Sequence, residues 1–135
     1  MASASGYSGT PLAQKLGINE GSTLVLLDEP AGTVEPLPDG VTVKRHARGS
    51  ADVAVAFFTD RAALERRVEV LSKMIFPDGG LWVAWPKRSS GLATTVDEHV
   101  VRAVALPLGL VDNKVCAIDA TWSGLRLVWR RERRR

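Results

Sequence analysis

Two hydrophobic periods succeed one another most clearly over Asp52–Lys87. Val53–Phe58 (VAVAFF) is an unbroken apolar run, which suits a strand buried on both faces, the usual condition of a parallel sheet. Thr59 and Asp60 close the run and can accept from free N–H groups at a helix start. The period then changes. Leu64, Val68, Leu71 and Ile75 form one stripe at helical spacing, with Arg61, Glu65, Arg66, Glu69 and Lys73 covering the other side. This predicts a helix over 61–75. Pro77-Asp78-Gly79-Gly80 stops it, and Leu81–Trp85 (LWVAW) reads as a second buried strand. Strand–helix–strand units of this kind cross over right-handed.

The flanks are weaker. Ala2–Gly9 is small and polar, and is expected to be flexible. Thr10 reads as an N-cap, Pro11 as the first helical residue and Leu12–Leu16 as a short helix closed by Gly17. Leu24–Leu27 is a buried strand, and Ala31–Gly40 is loop or at most one helical turn. Val41–Ala47 alternates like an edge strand; the pattern leaves its direction open, and its short link Arg48–Ala51 favours an antiparallel neighbour. After the polar loop Pro86–Thr95, Thr95 and Glu98 have capping-box spacing, so a helix is expected over 96–106. Val111–Asp119 reads as a strand with Val115, Ala117 and Val111 inward. Thr121–Gly124 reads as a turn and Leu125–Trp129 as the last strand. The fold predicted is a three-layer α/β Rossmann-like sandwich over 10–129, with a mostly parallel sheet and a C-terminal antiparallel hairpin.

Composition adds bounds. With 135 residues, 45% of them hydrophobic, the chain has enough apolar surface for its own core. Its net charge of +3 is uneven: the last six residues carry five Arg and one Glu, or +4, which leaves −1 for the rest. The lone Cys116 excludes an internal disulfide and cysteine-based zinc patterns, and fits a reducing compartment. No basic, apolar leader or bilayer-length run is visible, so a cytoplasmic protein without membrane association is expected.

Chemical motifs are sparse. There is no G-x-S-x-G elbow, no P-loop and no H-x-x-x-H spacing. His46 and His99 fall on an edge strand and an exposed helix face, where a solvated role is expected. Cys116 reads as a small apolar filler in a buried strand. No catalytic residue, metal site or cofactor is therefore expected. Parallel sheets bind ligands outside the carboxyl ends of their strands. There Asp28, Thr59 and Lys87, with Ser89 and Ser90 after Lys87, form a candidate site for a small anion or a protein partner. Lys87 is expected near Asp28 or Asp60, with the N–H groups of a helix starting at Thr94–Thr95 facing the same side. The tail residues Arg130, Arg131, Arg133, Arg134 and Arg135 offer weak, non-specific contact to nucleic acid or an acidic partner; the plainer reading is a disordered, solubilising tail.

Two resemblances extend this reading. The Asp-x-Val-x-Val run at Asp52, the Pro-Asp-Gly-Gly turn and the closing hairpin resemble the second half of a class I S-adenosylmethionine methyltransferase. The first half departs from it. The first strand ends LLDEPAGT without a Gly-rich turn, no crossover helix follows, and no ribose-binding acid is evident. The resemblance thus implies a truncated methyltransferase-like fold, with a binding or regulatory module as the main expectation and a divergent methyltransferase as the alternative. Gly6–Leu12 (GYSGTPL), Lys15–Ile18, Leu81–Lys87 and Gly109–Leu125 also resemble a mainly actinobacterial family of small proteins labelled as a domain of unknown function, which implies membership but no activity.

Overall fold

A computed structural model describes residues 11–134. The expectations for Ala2–Thr10 and for Arg135 lie outside the described residues. The element order is α1 (Leu12–Lys15), β1 (Thr23–Leu27), β2 (Thr42–Lys44), β3 (Val53–Phe57), α2 (Arg61–Met74), β4 (Gly80–Pro86), α3 (Glu98–Ala105), β5 (Leu110–Ala117) and β6 (Trp122–Trp129). The sheet order is β2-β1-β3-β4-β6-β5. The first four strands are parallel, and β6 is antiparallel to both of its neighbours.

All five β3 residues and all seven of β4 are buried, as their unbroken apolar runs require of central strands. The core splits on the two sheet faces. Leu64, Val68, Leu71, Met74 and Ile75 of α2 and Val101 and Ala105 of α3 pack on one, with Ala54, Ala56, Val83, Leu125 and Leu127. On the other, Ala13, Leu16 and Ile18 pack on Val55, Phe57 and Trp82. The link from β1 to β2 crosses the α1 side, where Val34, Leu37 and Val41 join that core. The link from β3 to β4 crosses the α2 side. These steps run in opposite directions along the sheet, so using opposite faces keeps one handedness.

Three details of the sheet differ from the sequence reading. First, β2 runs parallel to β1, not antiparallel. It is only three residues long, with Lys44 level with Val25 while Val53 is level with Leu24. The chain has almost no strand length to retrace, so no crossover helix is needed. Second, β5 carries a bulge between Asp112 and Lys114. The extra residue, Asn113, reverses the alternation of faces. Leu110 packs on the α2 side, whereas Cys116 and Ile118 pack on the α1 side. Val115 is consequently turned outward and 57% exposed, and Ala117 is exposed too. Cys116 therefore sits half-exposed on an edge strand, where burial pushes its thiol up against the opposing pull of Lys15, Lys114 and Lys87. Third, Trp122–Gly124 belongs to β6. The turn lies before it, where the Asp119 carboxylate accepts from the N–H groups of Thr121 and Trp122, both at 2.8 Å.

Pro77-Asp78-Gly79-Gly80 has a packing function beyond turning the chain. A Cβ on Gly79 would stand 2.8 Å from the Asp52 carbonyl oxygen and 2.9 Å from those of Ala51 and Ile75. These are backbone atoms of β3's entry and α2's exit, which cannot swing aside. Gly79→Ala is expected to cost about 1–3 kcal/mol through overpacking. Thermal melting checks this, and an unchanged midpoint would sink it.

Candidate functional site

The connections reverse direction between β1 and β3, so the crevice at the carboxyl ends of these strands is where an open α/β sheet places its ligands. Here β1 ends at Asp28, which takes the left-handed conformation (φ +58°) and points the chain into a loop rather than a helix. Glu29 turns back. Its side chain is 2% exposed, and its carboxylate accepts from Arg45 at 2.9 Å and from the Val34 N–H at 3.0 Å. At the end of β3, Asp60 caps α2 by accepting from Ala63 N–H.

The Thr94–Thr95 segment is stitched across the same place. Thr59 O accepts from Thr95 N–H at 2.9 Å and from the Thr94 hydroxyl at 2.8 Å. The Thr95 hydroxyl accepts from Arg61 N–H at 2.7 Å. The polar backbone groups at the mouth of β3 are thereby used. This also corrects the start of α3. With Thr95 committed to α2, the cap is Asp97, whose carboxylate accepts from Val100 N–H at 2.9 Å. A carboxylate thus already occupies the helix start where an incoming anion was expected. Glu98 instead pairs with Arg102, which also bridges to Asp112; both acids raise the guanidinium's pKa.

Beside the Thr94–Thr95 segment a cavity of about 780 Å³ opens at the carboxyl end of β4. Trp85, Lys87, Thr94, Thr95, Asp97 and Ser123 are among its lining. Of the five residues expected to form the site, only Lys87 lines it. Asp28 and Thr59 are exposed at the ends of β1 and β3, outside the cavity. Ser90 is spent locally, donating to Lys87 O and accepting from Leu92 N–H, and Ser89 is exposed in the 3₁₀ turn Arg88–Ser90. The Lys87 ammonium forms no ion pair among the described residues, so it is joined to neither Asp28 nor Asp60. The partners of Thr94 and Thr95 are set by contacts across some 35 residues of chain, which local spacing does not show; the Asp97 cap is local, to Val100. A capping box at Thr95–Glu98 was the locally sensible reading.

His46 and His99 are exposed, and among the described residues no cluster of His, Cys, Asp and Glu is placed to hold a metal ion. No helix of the described residues is long and apolar enough to cross a membrane. Arg131–Arg133 form a 3₁₀ turn, and Arg134 donates to Trp129 O at 2.8 Å.

No family model matches the chain, and no curated protein matches it by sequence. Its fold is the methyltransferase-like Rossmann fold. It is similar to a SAM-dependent methyltransferase from Aquifex aeolicus (TM-score 0.58, 14% identity, 84% of this chain and 85% of that one). A putative methyltransferase from Thermoplasma acidophilum aligns with TM-score 0.57 and 9% identity over 90% of this chain and 75% of that one. The magnesium protoporphyrin IX methyltransferase of Synechocystis, solved with SAH, aligns with TM-score 0.52 and 13% identity over 67% of this chain. The match spans only 51% of that enzyme.

Proposed function

We propose that this domain is a binding module on a methyltransferase-like fold, taking a small anionic ligand in the cavity at the carboxyl end of β4. The observation that carries this reading is the seal that Thr94 and Thr95 form over Thr59 and Arg61, beside an open cavity into which Lys87 brings an unpaired cation. In this reading the module binds its ligand without acting on it.

The second reading is a divergent S-adenosylmethionine-dependent methyltransferase, and the fold comparisons favour it. The residues present do not fit that cofactor in the usual crevice. A close approach to β1 requires a Gly-rich turn leading into a helix. Asp28 and the buried Glu29 stand there instead. The end of β2 presents Arg45 and His46, both exposed, in place of an acid to hold ribose hydroxyls. Calorimetry with millimolar S-adenosylmethionine separates the readings. No saturable heat is expected; saturable binding would put the methyltransferase first. In the same protein, inorganic phosphate is expected to shift the amide signals of Lys87 and Thr95. Shifts unchanged by Lys87→Ala would remove the binding module's main support.

A further inference from the structure

The opposite end of the sheet holds a second opening. A cavity of about 670 Å³ lies at the amino ends of β1, β3 and β4, and a smaller one of about 230 Å³ adjoins it. Gly17 and Arg126 line both. Arg126 is a β6 residue on the α1 side of the sheet, level with Trp82. Its guanidinium lies flat on β4 at Gly80, where a Cβ would stand only 2.6–2.8 Å from its Nε, Nη2 and Cζ. A glycine at that position therefore sets where the arginine rests.

Among the described residues Arg126 makes no ion pair, and its one hydrogen bond is a long one, 3.4 Å, from Nη1 to Asn113 Oδ1. Burial and the neighbouring Arg134 both disfavour its charged form. The part of the guanidinium withdrawn from water loses hydration that no carboxylate partner replaces, so an anion entering the cleft would meet a cation free to pair. Lys114 adds a second cation in the smaller cavity, its ammonium tethered to the end of α1 by donating to Lys15 O at 3.1 Å. No Asp or Glu lines that smaller cavity. The larger cavity has the opposite character: Glu20, Asp52 and Asp78 line it with Ser22 and Ser50, the Asp52 carboxylate already accepting from Thr23 N–H at 2.8 Å. One end is thus built for an oxyanion, the other for hydroxyl groups that donate to carboxylates.

We propose that this amino-end cleft binds a phosphorylated polyol of the sugar-phosphate class, its phosphate on Arg126 and Lys114 and its hydroxyls toward Glu20 and Asp78. The site is distinct from the carboxyl-end cavity and does not rest on it. The test is a titration of the full chain with ribose 5-phosphate, inorganic phosphate and free ribose, followed by NMR at the Arg126 Nε–H signal. Ribose 5-phosphate is expected to saturate that signal and to bind more tightly than inorganic phosphate, with free ribose showing no saturation. Arg126→Gln, checked for an unchanged fold by its melting curve, is expected to weaken binding about tenfold or more, the worth of a charge-assisted hydrogen bond. Lys114→Gln, on an exposed edge position, gives an independent loss in the same direction. Lys87→Ala is expected to change nothing here, which separates this site from the one at β4. An unmoved Arg126 signal would overturn the proposal. Equal binding of phosphate and ribose 5-phosphate would overturn the ligand class. A short single-stranded oligonucleotide that binds Arg126 more tightly than ribose 5-phosphate, with a steep salt dependence, would replace it with a nucleic-acid surface.

Discussion

Leu71→Ala is expected to lower the denaturant midpoint by the equivalent of about 2–5 kcal/mol, while Glu65→Ala moves it by less than about 0.5 kcal/mol. Leu71 is 0% exposed, in the middle of the α2 stripe that covers β3 and β4. Deleting most of its side chain removes apolar burial and leaves a void between a helix and two central strands, none of which can close it without breaking ladder hydrogen bonds. Glu65 is exposed and pairs only with Arg61 one turn earlier, at 3.0 Å, where both partners remain wet. Such pairs contribute little. Equal losses in the two variants would mean that α2 presents a different face to the sheet.

That contrast was legible from residue spacing alone, and the reason is physical. The unit from β3 through β4 is contiguous, and each element carries one strong period undisturbed by bulges or distant partners. Its bounds agree closely with the structure: the helix spans 61–74 against an expected 61–75. The hairpin was read less well because one inserted residue, Asn113, reverses which β5 side chains face inward, and an insertion leaves no mark in a polar-apolar count. The carboxyl-end site was half legible. The strand ends were placed correctly, and Lys87 does line a cavity. That Thr94 and Thr95 would seal the neighbouring crevice depends on hydrogen bonds between residues some 35 apart. Arg126 gave no signal at all. Flanked by Leu125 and Leu127, it reads as the wet position of an alternating strand. Only its cross-strand proximity to Gly80, together with the absence of an ion pair to it among the described residues, sets it apart.

Trp82→Ala is expected to cost about 3–5 kcal/mol, and Trp82→Phe a smaller amount with a local signature. Trp82 is 0% exposed at the centre of β4, on the face that carries α1. Its indole Nε1–H donates to the Leu16 carbonyl oxygen at 2.9 Å, just past the end of α1. A helix as short as Leu12–Lys15 has too few internal hydrogen bonds to hold itself, so it exists through docking. The docking contacts are Ala13, Leu16 and Ile18, and the Trp82 bond is the buried polar link beside the exposed one from Lys114 to Lys15 O. Removing the whole side chain leaves a cavity beneath α1 and an unpaired buried carbonyl together. Phenylalanine fills most of the space but leaves the Leu16 carbonyl unsatisfied, a cost of about 1–3 kcal/mol. Denaturant midpoints give the two magnitudes. Hydrogen exchange then locates the second: in Trp82→Phe, protection should fall first at the amides of Leu16 and Ile18, which close the turn on Leu12 and Ala13. If Trp82→Phe matched the parent protein in both midpoint and exchange, α1 would be held by its other contacts, and the indole bond would contribute nothing to its position.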